Sequence, residues 1–339
     1  MEIKNVVVTG QNQVELQNAE IDDKNLGARD ILIETEWTFI STGTELANYT
    51  GKEPKVFQPG QWCAYPWKSG YSNVGIVKAI GNGVSRAKVG DRVFTYGNHA
   101  SAVRINESSL VIKVPDDIDP GISAASRMAG VAATAIVLSE IKYNPWVAVF
   151  GLGLVGNLAS QFFKIKGCRV IGVDPVDYRR KLAEKCGIKY TLGGDAETVQ
   201  KGISEITGGQ MANITVDAVG HSAVVMQALK NTASHGQLVI LGSPRVSVQG
   251  DLTELLSDVH LRWIKVIGAL EWCIPIYPDN GVFMSQFTKQ QMIFDWIRSG
   301  DLKVKELVSH TLKPEQIKQA YDGLLNEPQT YTGVLLKWK

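Results

Sequence analysis

The chain has 339 residues, 44% of them hydrophobic and 20% charged, with a formal net charge of +1. That length points to two domains or one large α/β unit, and the composition is that of an ordinary folded protein. The near-neutral balance argues against a nucleic-acid or anionic-membrane surface as partner, and no charge block, low-complexity tract or solenoid-period repeat is present.

Along the first part of the chain, to about residue 115, short apolar runs are separated by Gly, Pro, Asn and Asp. They are Val6–Val8, Ile31–Ile33, Gly75–Ile80, Arg92–Tyr96, Ala102–Ile105 and Leu110–Val114. This spacing predicts an antiparallel barrel or sandwich. The middle alternates. A β run at Val147–Phe150 is followed by Leu154, Val155, Leu158, Ala159, Phe162 and Phe163 at helical spacing, with Gly167 as a C-cap. Arg169–Val173 reads as the next strand and 179–186 as a helix stopped by Gly187. Ile214–Val219, Leu238–Leu241 and Ile264–Ile267 read as further strands. Alternating strands and helices predict a parallel sheet covered on both faces. Beyond about residue 270 the pattern gives helices at Lys289–Arg298 and Pro314–Leu325, then a strand at Gly333–Lys337. The predicted architecture is therefore α/β, a doubly wound parallel sheet domain (131–269) inserted into a β-rich domain made of 1–130 and 270–339.

Gly151-Leu152-Gly153-Leu154-Val155-Gly156 matches G-x-G-x-x-G between a predicted strand and a predicted amphipathic helix. Gly151 suits the tight turn, Gly153 a close approach of a pyrophosphate to the backbone, and Gly156 close packing of helix on strand. The phosphates would sit on exposed N–H groups at the positive helix end. Asp174, eighteen residues after Gly156, ends the second strand. An acidic side chain there accepts from a ribose hydroxyl and repels a 2′-phosphate, which favours NAD over NADP. Arg179 and Arg180 follow; they flank the adenine, accommodate a 2′-phosphate, or belong to a solvated helix face. Val219 and Gly220 at the end of a later strand, and Gly242 after the next, complete the candidate cofactor lining.

The four cysteines (Cys63, Cys168, Cys186, Cys273) are far apart and form no C-x-x-C pair, the usage of reduced thiols. The start MEIKNVVVTG lacks the basic-then-apolar order of a signal peptide, and no long apolar run suggests a membrane span. A cytoplasmic location is expected.

The order of parts, with a set of local segments, resembles the medium-chain dehydrogenase/reductase superfamily over nearly the whole chain. Ser41-Thr42-Gly43-Thr44-Glu45 looks like its C-G-[ST]-D turn, and Gly70-Tyr71-Ser72-Asn73-Val74-Gly75 like its G-H-E-x-x-G segment. Val89-Gly90-Asp91-Arg92-Val93 matches V-G-D-R-V, and Asp217-Ala218-Val219-Gly220 matches D-x-x-G. The resemblance implies a GroES-like catalytic domain carrying a Rossmann domain. It also exposes a departure. Where zinc members place their catalytic ligands, this chain has Thr42, Tyr71, Ser72 and, by alignment, Gly130, and the four-cysteine structural lobe has no room between Val93 and Ala102. Zinc takes thiolate, imidazole or carboxylate, so no metal is expected. The Ser-Thr-Gly-Thr-Glu-Leu turn and the Gly-Tyr-Ser segment are most similar to the zinc-free branch that includes bacteriochlorophyllide-type alcohol dehydrogenases.

That resemblance implies NAD-dependent hydride transfer to or from a secondary alcohol, polyol, sugar derivative or ring-bearing alcohol. Without zinc, a hydroxyl, imidazole or ammonium must stabilise the oxygen's charge. Thr44 stands where the family places its relay hydroxyl, Tyr71 where it places the histidine, and His99 in a short loop beside the usual mouth of the substrate site. These three are the catalytic candidates, with Lys68 as a charge that lowers the Tyr71 pKa and Glu45 as an organiser of the turn. Plainer readings stand beside them: Thr44 as a helix cap, Tyr71 as a filler of the empty metal site, His99 as a loop histidine. Trp37, Trp62 and Trp67 suit sugar rings or ordinary packing, and Trp272 is a candidate neighbour of the nicotinamide. Two other functions remain open, a zinc-free NADPH-dependent quinone or enoyl reductase and a non-catalytic NAD-binding protein. The expected partner is a small-molecule substrate, and the expected assembly is a homodimer joined at the Trp263–Leu270 edge.

Overall fold

The computed structural model describes residues 1–279 and 284–339. The four residues between them, inside the expected C-terminal return, lie outside the described residues. In chain order the first part contains β1 (Glu2–Gly10), β2 (Gln13–Glu20), β3 (Asp30–Phe39), α1 (Thr44–Tyr49), β4 (Trp67–Lys68), β5 (Asn73–Ile80), β6 (Arg92–Thr95), β7 (Ala102–Asn106), β8 (Val111–Lys113) and α2 (Pro120–Ala125). Then follow α3 (Arg127–Leu138), β9 (Trp146–Phe150), α4 (Leu154–Ile165), β10 (Arg169–Val173), α5 (Asp177–Lys185), β11 (Tyr190–Leu192), α6 (Ala196–Thr207), β12 (Ala212–Asp217), α7 (Ser222–Lys230), β13 (Thr232–Ile240), α8 (Leu252–Leu261) and β14 (Lys265–Gly268). The last part holds α9 (Gln286–Ser299), β15 (His310–Leu312), α10 (Ile317–Asn326) and β16 (Val334–Lys337).

The chain divides into two compact units. One is Met1–Arg127, Ile274–Gly300 and Leu307–Lys339; the other is Met128–Cys273 with Asp301–Glu306. The short segment 301–306 goes with the second unit because it is tied there: Lys303 donates its N–H to Gln161 Oε1 at 2.8 Å and its ammonium to the Lys185 carbonyl at 3.2 Å.

In the first unit the main sheet has the order β15-β16-β3-β5-β6-β8, with β7 also paired to β3; its pairings are antiparallel except that of β15 with β16. A smaller sheet has the order β2-β1-β4. Alternation sets the register: Ile31 and Ile33 of β3 point into a cluster with Val77, Val93, Val103 and Val111. A second cluster joins Val6, Val8, Ile40, Tyr49, Tyr321, Val334 and Leu336, so the C-terminal strand and α10 complete a core begun by the N-terminus. Strand β2 has no predicted counterpart. Its sequence, QVELQNAE, buries only Val14, and its pairing with β1 rather than apolar patterning defines it.

The second unit is a six-stranded sheet in the order β11-β10-β9-β12-β13-β14, with every pairing parallel. This is the doubly wound order, in which strand direction of winding reverses between β9 and β12. Central strand β9, WVAVF, is buried at all five positions, as a strand covered on both faces must be. Among the described residues no helix is long and apolar enough to cross a membrane.

Candidate functional site

In the second unit the turn from β9 to α4 is built by its glycines. Gly151 has φ +90°, and a Cβ on it would come within 2.5 Å of Val219 Cγ2. A Cβ on Gly156 would lie 1.7 Å from the Gly151 carbonyl oxygen, so only glycine lets α4 pack this closely on the turn. Gly153 is different: a Cβ there would meet nothing within 4 Å. It is the N-cap of α4 and supplies no side-chain cap, so the first-turn N–H groups of Leu154, Val155 and Gly156 lack a helical partner beside an open face. Leu152 and Leu154 turn inward and are buried. This cradle has the form that a pyrophosphate fits, with donors and dipole aimed outward and no side chain in the way.

The loop sits at the switch point. Val219, 53% exposed, stands beside it at the end of β12. Asp217 fixes this end: its carboxylate accepts from the N–H groups of Val219 at 3.0 Å and Gly220 at 3.2 Å. Burial pushes the Asp217 carboxyl above its usual range, against the lowering effect of those two backbone donors. Gly220 and Gly242 interlock, since a Cβ on Gly242 would lie 2.3 Å from the Gly220 nitrogen.

Asp174 is placed at the end of β10, and its carboxylate is turned inward. Oδ2 accepts from Leu152 N–H at 2.7 Å and Oδ1 from Val176 N–H at 2.8 Å, and the residue is 1% exposed. Its carboxylate thus first holds the glycine loop against β10. Each oxygen keeps a lone pair that a sugar hydroxyl could use. Arg179 Nη1 is 3.6 Å from Oδ2. Arg180 instead clamps the backbone, donating to the carbonyls of Asp174 at 2.7 Å and Pro175 at 3.0 Å. Trp272, in a short 3-10 turn after β14, is 58% exposed.

In the first unit the Ser41–Glu45 turn is organised by Glu45. This carboxylate is fully buried and accepts from Ser41 N–H at 2.8 Å, from His99 Nε2 at 2.9 Å and from the Tyr321 hydroxyl at 2.7 Å. Burial, and then the neighbouring Glu45 charge, holds the Tyr321 phenol well above its ordinary value. The turn-organising role expected for Glu45 is thus realised in full.

His99 does not lie at an open mouth. It is fully buried, its Nε2 is committed to Glu45, and its N–H donates to the Ser69 carbonyl at 2.9 Å. An imidazole at this depth supports the turn, so its catalytic candidacy is withdrawn. Short loop length suggested exposure, but Asn98 pins the loop inward by donating to the carbonyls of Lys68 at 3.1 Å and Gly70 at 2.9 Å. Thr44 is the first residue of α1 rather than its cap, which is Gly43. It is half-buried.

Tyr71 is half-buried, and its hydroxyl makes a short hydrogen bond with Ser41 Oγ rather than one with Thr44. The cation beside it is not Lys68, whose side chain is exposed on β4. It is Arg127, 1% exposed, whose guanidinium lies 4.7 Å from the Tyr71 ring centroid and 4.2 Å from that of Tyr96. The Tyr96 hydroxyl donates to Gln286 Oε1 at 3.1 Å, and Gln290 donates to Ser126 Oγ at 2.7 Å, which places α9 against the same side chains. Sequence reasoning missed Arg127. The available signal was a lone charge in the otherwise small and apolar run AASRMAGVAATAIVL.

The family-aligned metal positions offer poor ligands. Ser72 is buried and spends its hydroxyl on the Ala124 carbonyl at 2.7 Å, and Thr42 and Tyr71 bring neutral hydroxyls. Among the described residues no three His, Cys, Asp or Glu side chains converge in a metal-holding group.

Comparison with known proteins agrees with this architecture. Residues 27–145 match the alcohol dehydrogenase GroES-like domain and residues 155–273 the zinc-binding dehydrogenase domain. The chain is 30% identical to an alcohol dehydrogenase of Geobacillus stearothermophilus over 60% of its own length and 68% of that protein's. It is 23% identical to an L-threonine 3-dehydrogenase of Bacillus velezensis over 93% of its length and 94% of that protein's. Among solved structures, an alcohol dehydrogenase of Escherichia coli CFT073 complexed with NADH superposes with a TM-score of 0.80 at 17% identity, covering 99% of each chain. The GroES-like unit, the parallel sheet with its glycine turn at the switch point, and these relatives together establish that the chain belongs to the medium-chain dehydrogenase/reductase superfamily.

Proposed function

We propose that this protein is a nicotinamide-dependent dehydrogenase that interconverts a secondary alcohol and a ketone without zinc, NAD being the preferred cofactor. The observation that carries the reading is the donor set. Where the family's metal ligands align, the chain presents Thr42, Tyr71 and Ser72, and the Tyr71 hydroxyl is paired with Ser41 under a buried guanidinium. The open cradle at Gly153 supports dinucleotide binding, with Gly151, Leu152, Leu154, Val155, Gly156, Val219, Gly220 and Gly242 forming the lining and Asp174 and Arg179 at the ribose end. Bound there, a nicotinamide supplies the acceptor for the substrate's hydride. The protein's own task is the proton: Tyr71 removes it from the alcohol oxygen, and Thr44 adds a second hydroxyl on the same turn.

The test is activity of protein purified without added metal, on panels of secondary alcohols and polyols with NAD and NADP. Alcohol oxidation with far less than one zinc per chain by elemental analysis is the expected result. Stoichiometric zinc whose removal abolishes activity would refute the metal-free reading. Oxidation of NADPH by quinones or enones, without alcohol turnover, would favour the C=C reductase; NAD binding with neither reaction would favour a binding protein. Tyr71→Phe should lower kcat and kcat/KM together, by about 10²–10⁴-fold if acid–base catalysis is lost, and Thr44→Val should do so more weakly. The reading includes membership of the zinc-free branch and a homodimer. The edge strand β14 supports the dimer, with Trp263, Val266 and Leu270 at 65%, 48% and 61% exposure on and around it. Light scattering that returns a monomer at micromolar concentration would remove this part.

A further inference from the structure

We infer that Arg127 is the positioning residue that makes Tyr71 an acidic phenol, ready to act as a base near neutral pH, and that Ser41 selects Tyr71 over its neighbour Tyr96 for this role. The inference rests on the oxidoreductase reading for its purpose but not for its test. It starts from a difficulty. A free phenol titrates near about 10, so as a base it is almost wholly protonated at neutral pH. A protein that gives a tyrosine this work must favour the phenolate. Two devices do so, a nearby positive charge and a donor to the ionised oxygen.

Both are present at Tyr71. Arg127 is 1% exposed, so water screens its charge little, and it lies 4.7 Å from the ring centroid. A guanidinium keeps its charge at every accessible pH. It already attracts the negative face of a neutral ring, and a phenolate, which spreads a full charge into that ring, is attracted more strongly. The Tyr71 oxygen meets Ser41 Oγ, and a hydroxyl both gives and accepts a hydrogen bond. When Tyr71 is neutral Ser41 can accept; when it is ionised Ser41 donates.

Tyr96 shares the same guanidinium at the shorter distance of 4.2 Å, yet its oxygen is handled the opposite way. Its hydroxyl donates to Gln286 Oε1, and the Gln286 amide nitrogen points at the Ile274 carbonyl at 3.4 Å. An amide oxygen held in that orientation only accepts. It binds the neutral phenol and opposes ionisation. One cation therefore serves two rings, and the partner of each hydroxyl decides which one ionises.

The other charged groups around Tyr71 bear on the sign. Glu45, reached through the Ser41 backbone, is the anion of the turn, and its charge opposes a phenolate. That carboxylate is already met by Ser41 N–H, His99 Nε2 and the Tyr321 hydroxyl. On α9, Lys289 is a second buried cation, one turn beyond Gln286. The direct contact belongs to Arg127. On the proposed reading the alcohol's O–H proton would pass to the Tyr71 oxygen, and a bound nicotinamide would take the carbinol hydrogen as hydride. The C–O bond becomes a carbonyl, and the half-buried Tyr71 later returns its proton to water.

The test is the near-ultraviolet phenolate absorbance of cofactor-free, substrate-free protein against pH, with Tyr71→Phe subtracted so that only Tyr71 is read. The expected midpoint lies at least about one unit below 10, moves up by about one unit or more in Arg127→Met, and stays nearly in place in Arg127→Lys. Ser41→Ala should raise it by a smaller amount, and Tyr96→Phe should leave the acidic step intact. A merely structural arginine would lower the melting temperature without moving this titration. A wild-type midpoint at or above about 10, or an Arg127→Met shift under about 0.3 units, overturns the inference. Should Arg127→Met fail to fold, Arg127→Gln, which keeps a polar side chain without the charge, is read in its place, and a midpoint left at the wild-type value overturns the inference equally. An acidic Tyr71 in a protein that oxidises no alcohol would leave this inference standing and remove the proposed function; normal alcohol oxidation with an ordinary phenol would do the reverse.

Discussion

Replacing Glu45 should reveal how much of the first unit's order hangs on one buried carboxylate. Glu45 is fully buried and accepts three hydrogen bonds, from Ser41 N–H at 2.8 Å, His99 Nε2 at 2.9 Å and the Tyr321 hydroxyl at 2.7 Å. Glu45→Ala removes the acceptor and strands three buried donors, each costing about 1–3 kcal/mol, and adds a small cavity. Relief of the carboxylate's own desolvation offsets part of this. The net loss should be about 3–5 kcal/mol, a large fraction of a stability that is typically about 5–15 kcal/mol. Glu45→Gln should be milder, about 1–3 kcal/mol. Its amide oxygen can still receive Ser41, and the Tyr321 hydroxyl can rotate to accept from the amide nitrogen. His99 would have to shift its proton to Nδ1, which has no partner among the described residues. Urea unfolding followed by circular dichroism reads both variants, and an unchanged slope with a lowered midpoint would identify loss of stability rather than of compactness. The order Ala below Gln below wild type is the essential result. Losses under about 1 kcal/mol for both variants would show that the buried network contributes nothing net, and the reasoning would fail.

Three further outcomes follow from the same geometry. Gly156→Ala should abolish NAD binding and lower the melting temperature, because a Cβ would sit 1.7 Å from the Gly151 oxygen; calorimetric titration giving wild-type affinity would contradict this. Burial pushes the Cys168 and Cys186 thiols up to about 11, and Cys63 is buried too, while Cys273 is exposed. A thiol reagent at mildly alkaline pH should therefore modify one cysteine per native chain quickly and four only in denaturant. The Glu107 carboxyl is held below its ordinary 4.5, first by the Ser85 N–H. A depressed folded-state value means a contribution fully present above the unfolded value and lost as pH falls through the folded one. Glu107→Gln should accordingly destabilise at pH 7 and lose that effect in strong acid; an equal penalty at both pH values would contradict it.

Much of the fold was legible because it is local. The strand at Val147–Phe150, the glycine turn and the helix from Leu154 follow from a continuous apolar run that gives way, across three glycines, to apolar residues at helical spacing. Strand β2 was not legible, since its eight residues bury only Val14 and its place is set by hydrogen bonds to β1. The backbone around the glycine loop was legible for the same reason that the turn was. Asp174 was found, but its engagement with Leu152 and Val176 N–H was not, because an acidic strand end looks the same whether it faces a ligand or its own loop.

The substrate side was harder, and the reason is physical. Tyr71, Ser41, Arg127, Tyr96 and Gln286 come from five separated segments, and no period links them. The family resemblance located Tyr71 where a histidine is implied, but it could not say what a hydroxyl does at that position. That depends on what surrounds it. On the proposed zinc-free reading, the charge that stabilises an alkoxide has to come from another group. A buried guanidinium against the ring is the one observed here, at the start of α3, on an element that carries no other charged residue. Burying that charge is expensive unless neighbours compensate, and two aromatic faces make up part of the difference. A residue kept only for stability would be better replaced by an apolar one of similar volume. Arg127→Met therefore separates the two accounts in a single variant. A gain in stability with loss of the acidic tyrosine would mean that the charge is held for chemistry, and a loss of stability with the titration unchanged would mean that it is held for packing.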